Sequence, residues 1–231
     1  MSEQTIKRIY ILFVLCIFSI PGQLNAQVSF GLNVGVNQSW MQFRDPVGHS
    51  GESNKPLTRL NADLLVHVPL VEGLYLVPGA RFITKGTNLT TGADGEYTRR
   101  LDLRYLEIPV NLTYKVPVSF GRLTVGVGPY VAYGLNGNNR MQVYNAGNIV
   151  STTDYTVGFS SNVNKGIYPG TRLNRWDVGA QAVAGIEFNS LLTVGVHYSR
   201  GIRNLDLSDN SIIRTNSVGV SLGVLLSRED Y

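Results

Sequence analysis

Apolar and polar residues alternate with a period of two through most of this chain. In 28–36, Val28, Phe30, Leu32, Val34 and Val36 alternate with Ser29, Gly31, Asn33 and Gly35. The same alternation returns in 60–70, 74–85, 106–114, 123–133, 176–188, 192–199 and 217–226. A period of two is that of a strand with two unlike faces, so the pattern predicts eight strands. Most reach the roughly 9–11 residues that a tilted strand needs to cross a bilayer.

The two faces differ in kind. One is aliphatic and carries aromatics near its ends: Trp40, Phe82, Tyr133, Trp176 and Tyr198 at one level, Phe30, Tyr114 and Phe188 at the other. The second face is Gly-, Ser- and Asn-rich and includes the ionisable residues Asp63, His67, Arg81, Glu107, Glu187 and His197. Two aromatic girdles around an aliphatic band belong to a membrane barrel, with the small polar face inside. Eight strands leave an interior that side chains just fill, which argues against an open pore. The expected fold is therefore an all-β, eight-stranded antiparallel up-and-down transmembrane barrel. A soluble lipocalin-like barrel is the alternative, and would place the apolar face inside.

The segments between the strands alternate in length. Long ones are expected at 41–58, 86–98, 136–174 and 204–212, short ones at 71–73, 116–121 and 189–190. In outer-membrane barrels short turns are periplasmic and long loops extracellular, which puts both termini in the periplasm. Within 136–174, Tyr144, Tyr155, Phe159 and Tyr168 offer a contact surface for a partner.

Lys7 and Arg8 precede the apolar run 9–20, and Ala26 offers a small residue before Gln27. That is the pattern of a cleaved signal peptide over 1–26, leaving the barrel domain as 27–231. The single cysteine, Cys16, lies in that leader, so no disulfide is expected in the barrel. The formal net charge of +4 falls by one when the leader goes. It is too small and too dispersed for a nucleic-acid partner. A mean hydropathy of +0.02, with no later apolar run of 18 residues, excludes a helical membrane protein. The partners expected from this composition are outer-membrane lipid and lipopolysaccharide.

Tyr105-Leu106-Glu107-Ile108-Pro109 resembles the PorT-like outer-membrane β-barrel proteins of Bacteroidota. So do Arg175-Trp176-Asp177-Val178-Gly179 with Ala184-Gly185-Ile186-Glu187, and the stretch from Tyr198 to Leu205. In order, these motifs span nearly the whole barrel domain. The resemblance implies an outer-membrane barrel, and an accessory role in protein export by type IX secretion as one function. The chain departs from such barrels at its end, where Ser227-Arg228-Glu229-Asp230-Tyr231 follows the last strand.

Candidate chemistry is sparse. His197-x-Ser199 has the spacing of the His-x-Ser pair of outer-membrane lipid A deacylases, with Asp206 or Asp209 as an orienting carboxylate. Alternation turns both residues inward, away from lipid, so interior packing is the expected role. Asp63, Arg81 and Glu107 share the inward parity and are expected to form an ion-pair network. In that expectation Asp63 stands opposite Gly79, two residues from Arg81, and Gly79 leaves room for the guanidinium. Neither a metal-ligand cluster nor a cofactor motif is present in the sequence. The reading is a non-enzymatic scaffold or interaction protein, with export accessory and lipid-modifying enzyme as alternatives.

Overall fold

The computed structural model describes residues 28–44, 53–91, 97–157, 159, 173–207 and 212–228. The leader 1–26, Tyr168, Asp209 and Tyr231 lie outside the described residues. Nine antiparallel strands are present: β1 Ser29–Arg44, β2 Ser53–Val71, β3 Leu74–Thr91, β4 Tyr97–Val118 and β5 Gly121–Asn145. They continue with β6 Asn148–Val157, β7 Trp176–Phe188, β8 Leu192–Gly201 and β9 Ile212–Leu225. Eight of them close a ring, because β1 pairs with both β2 and β9, and β5 pairs with both β4 and β7. Closure removes the edges of these eight strands, as a bilayer requires.

At the end with the chain termini the turns are tight. Glu72-Gly73 joins β2 to β3, with Gly73 at φ 74°. Its amide neighbourhood is closed by Lys115 N donating to Gly73 O at 2.7 Å. Arg228 ties the last residues down, donating to Asn189 Oδ1 and Phe188 O.

The other end is longer than the alternation predicts. β5 was expected to stop near Tyr133, yet it continues to Asn145 and turns through Ala146-Gly147 into β6. Both turn residues have positive φ, as a two-residue hairpin turn demands. Similarly, β3 and β4 run far into the expected loop 86–98, β1 and β2 into 41–58. Above Tyr133, β6 replaces β7 as the neighbour of β5, and bridges from Phe159 to Leu173 and from Leu173 to Asp206 lead on toward β9.

The polarity of the wall explains this. In the lower half the outward side chains are apolar and bare: Leu60 is 75% exposed, Val34 65%, Val220 57%. The inward ones are polar and buried. Such a surface is stable only against lipid, so the soluble lipocalin-like arrangement is excluded. In the upper half the faces invert. Met41, Ile83, Leu101, Leu103, Tyr105, Val157, Phe159, Leu173, Leu205 and Ile213 point inward as one buried apolar cluster. Outside them stand Arg59, Arg100 and Asp102, ion-paired at 2.7 and 3.0 Å. Water has replaced lipid around this half, and the barrel is built there like a soluble one.

The aromatics mark the boundary. Phe82, Leu106, Tyr133 and Trp176 form one continuous row across β3, β4, β5 and β7. Tyr133 and Trp176 meet edge to face at 4.9 Å. At the opposite end Phe188 packs on Phe120, centroids 6.3 Å apart.

Candidate functional site

Between the polar lower lumen and the apolar upper plug lies a layer of buried charge. Arg81 on β3 pairs in register with Asp63 on β2 and with Glu107 on β4. Its Nε donates to Asp63 Oδ1 at 2.8 Å, and its Nη1 donates to Glu107 Oε1 at 3.2 Å and to Gln181 Oε1 at 3.0 Å. The register differs from the expected one. The Glu72-Gly73 turn and a bulge between Pro69 and Val71 set Asp63 opposite Arg81 itself, and Leu65 opposite Gly79. Gly79 therefore makes no room for the guanidinium; a Cβ there would meet Leu65 Cδ2 at 2.7 Å.

The layer extends beyond the three residues singled out from sequence. Lys85 Nζ lies 2.8 Å from Glu107 Oε2 and 3.1 Å from Asp177 Oδ2, wholly buried, with the Tyr130 ring 4.1 Å away. Asp177 also accepts from Thr215 Oγ1 at 2.7 Å and from Tyr130 Oη at 3.4 Å. Gln181 completes the layer by donating to Asn111 Oδ1 at 2.9 Å. Lys85, Asp177 and Gln181 share the inward parity of Arg81, Glu107 and His197. That parity is the sequence signal that could have found them.

Below this layer a cavity of about 90 Å³ reaches down past His197 and Glu187 to Leu225. Its floor holds a second set, in which Lys115 Nζ pairs with Glu187 Oε1 at 2.8 Å and stacks over Tyr75 at 4.2 Å. His67 Nδ1 stands 3.8 Å from the same carboxylate oxygen. Buried charges must be paired; Arg81–Asp63 and Arg81–Glu107 pair between adjacent strands, whereas Lys85–Asp177 and Lys115–Glu187 pair across the lumen.

His197 and Ser199 face inward and are buried. Ser199 Oγ is 2.7 Å from Ser217 Oγ on β9, not aimed at an imidazole. His197 packs against Gly219, where a Cβ would come within 2.4 Å of its Cε1. Its Nε2 has no hydrogen-bond partner among the described residues. Asp206 sits at the upper rim, bridged to Leu173. Among the described residues no group of three or more His, Cys, Asp and Glu side chains is placed to hold a metal. If the pair is structural, Ser199→Ala costs about 1 kcal/mol for the lost hydrogen bond and leaves cellular lipid A unchanged. Mass analysis showing an acyl chain removed by the native protein but not by Ser199→Ala would reverse that assignment.

The β5–β6 hairpin stands highest. Arg140 Nε and Nη2 donate to both oxygens of Asp154, at 2.7 and 3.1 Å. These hydrogen bonds hold the Asp154 carboxyl below its usual range. The tip exposes Ile149 and Val150, 54% and 59% accessible.

A model of the outer membrane protein beta-barrel domain family matches residues 22–207. Comparison with curated proteins finds no match. Among solved structures the chain is similar to Ail, the attachment invasion locus protein of Yersinia pestis. They share 10% identity over 87% of this chain and 99% of that one, with a TM-score of 0.42. Neisserial surface protein A shares 10% identity over 86% and 98%, with a TM-score of 0.40. OprG of Pseudomonas aeruginosa shares 8% over 88% and 98%, at 0.39. With an alternating sequence, a closed ring of eight strands, a bare apolar band and a family model covering most of its length, the chain belongs to the outer membrane protein beta-barrel domain family.

Proposed function

We propose that this protein is a sealed, non-enzymatic outer-membrane barrel that presents its raised hairpin end as an interaction surface. The observation that carries the reading is the doubly closed lumen. The Asp63–Arg81–Glu107–Lys85–Asp177 layer crosses the barrel, and the apolar plug around Leu103, Tyr105 and Phe159 lies directly above it. An ion entering would have to break paired buried charges and then cross a dry core, each step costing several kcal/mol.

In this reading the long strands and the hairpin lie at the extracellular end, and the tight turns, with both termini, at the periplasmic end. A chain that invests in strands rising well above the aromatic row supports display rather than passage. Exposed Ile149 and Val150 at the tip, on a frame braced by Arg140–Asp154, suit contact with a protein. Within this reading the resemblance to PorT-like proteins makes an export complex one class of partner.

Purified barrel in planar bilayers is expected to give no step conductance above the bare-membrane background. Discrete openings from the native barrel would contradict the sealed lumen. Crosslinking from a photoreactive residue at position 149 in whole cells, followed by isolation in mild detergent, identifies the partner. Capture from position 72 in the periplasmic turn, with none from 149, would assign the interaction to the wrong end.

A further inference from the structure

The outer wall of β8 and β9, beside β1, carries two arginines, Arg200 and Arg214, that no described acid neutralises. Arg214 on β9 pairs in register with Gln42 on β1. One step down, Arg200 on β8 pairs with Asn216, which pairs with Trp40. Arg200 and Arg214 are thus diagonal neighbours on adjacent strands, within reach of one ligand. With Gln42 and Ile212 they line a small cleft of about 40 Å³.

Neither guanidinium has an ion pair or hydrogen bond among the described residues, and the Nε of Arg214 is buried without a partner. That is costly, since a buried donor on a charged group loses its hydration without compensation. The acids of the upper wall do not serve: Asp102 is held by Arg59 and Arg100, Asp154 by Arg140. Arg175, next to Trp176, is engaged by Tyr133 Oη and Phe159 O. The cleft therefore offers guanidinium donors that none of the described acids engages.

Its position says which kind of anion suits them. Trp40 places the cleft at the level of the aromatic boundary, where lipid headgroups lie. Directly below, the same strands form an outward apolar groove of about 810 Å³ lined by Val34, Val36, Ala62, Val194, Val220 and Leu222. From Arg214 to Val220 is six residues of β9, about 20 Å of antiparallel strand. A phosphate in the cleft would thus have its acyl chain in the groove.

From this juxtaposition we infer that Arg200, Arg214 and Gln42 bind the phosphate of a membrane lipid, with one acyl chain seated between β8 and β2. The phosphate oxygens accept from the two guanidinium forks, and the Nε of Arg214 becomes one of the donors. The groove provides length and the cleft provides selectivity for charge. The site is distinct from the interaction surface at the hairpin and does not depend on it.

Native mass spectrometry in a mild detergent tests the assignment, with phosphorylated lipid A and enzymatically dephosphorylated lipid A as probes. The wild type is expected to retain the phosphorylated form about tenfold better, the scale of one or two charge-assisted hydrogen bonds. Arg200→Gln/Arg214→Gln should abolish the preference while keeping the heat-modifiable gel mobility of the folded barrel. Val220→Trp, which fills the groove, should weaken retention of both forms alike. Arg140→Gln, remote on the hairpin, should change neither, which separates a site from general positive charge. Equal retention of both lipids by the wild type would overturn the inference. So would an equal loss in Arg140→Gln, or displacement of the lipid by millimolar inorganic phosphate, which would make this a site for a free anion.

Discussion

Arg81→Ala is expected to destabilise the barrel by about 3–5 kcal/mol, the cost of leaving a buried charge without its partner. The effect should fall unequally on the two carboxylates. Glu107 keeps Lys85 at 2.8 Å. Asp63 keeps only the Asn61 amide, which donates to Oδ1 at 3.2 Å. The penalty in Arg81→Ala is therefore mainly that of Asp63, and neutralising it should recover much of the loss. The double variant Arg81→Ala/Asp63→Asn should lie well above Arg81→Ala. Arg81→Ala/Glu107→Gln should gain little, because it also strips Lys85 of one of its two carboxylates. Asp63→Asn alone should be mild, about 1–3 kcal/mol, since Arg81 retains Glu107 and Gln181. Urea titration of the folded band on unheated gels measures all four. An Arg81→Ala barrel within about 1 kcal/mol of the wild type, or rescue as complete from Glu107→Gln as from Asp63→Asn, would refute this partition.

The lower half of the barrel was legible in the sequence because its solvent gives it one rule. Lipid outside and a packed polar lumen inside force an alternation that Leu106, Ile108 and Val110 against Glu107, Pro109 and Asn111 display without ambiguity. The same rule places Asp63, Arg81 and Glu107 on one face, where the structure shows them in contact. Lys85 and Asp177 obey it equally, but Lys85 stands at the end of its run and Asp177 beside Trp176. At the ends of the runs 74–85 and 176–188, alternation alone gives no register to say which charge they meet.

The upper half was illegible for a physical reason. On β4, Leu101, Leu103 and Tyr105 point inward while Leu106 and Ile108 point outward. Apolar parity therefore reverses between Tyr105 and Leu106, beside the register shift at Arg104/Tyr105. Read in one register, the alternation ends there; read as a change of surroundings from lipid to water, it continues. The expected loops 86–98 and 136–174 were shortened by this inversion. Pairing register was the other blind point, because the bulge near Leu70 moves Asp63 onto Arg81 and leaves no mark in composition.

That account of the wall makes a depth-dependent prediction. Val34 and Val220 lie on the bare apolar face, several residues from the aromatics at either end, and arginine at either should cost about 2–4 kcal/mol. Gln38 is on the same outward parity of β1 but beside the Trp40 level, so Gln38→Arg should cost about 0–1 kcal/mol. The comparison must be made along the outer face, because the inner glycines cannot act as controls. A Cβ on Gly35 would meet the Val220 carbonyl at 2.3 Å, and one on Gly219 would meet His197. Any substitution there fails sterically, whatever its charge. Folding into vesicles, read as the unheated gel band against urea, gives the three values. In a barrel whose apolar face pointed inward, Val34→Arg and Gln38→Arg would both place an unpaired charge in the core, and both would be costly. In this one the cost follows distance from the membrane midplane. Equal costs at positions 34 and 38 would therefore contradict a lipid boundary between them, and with it the inversion on which the long strands depend.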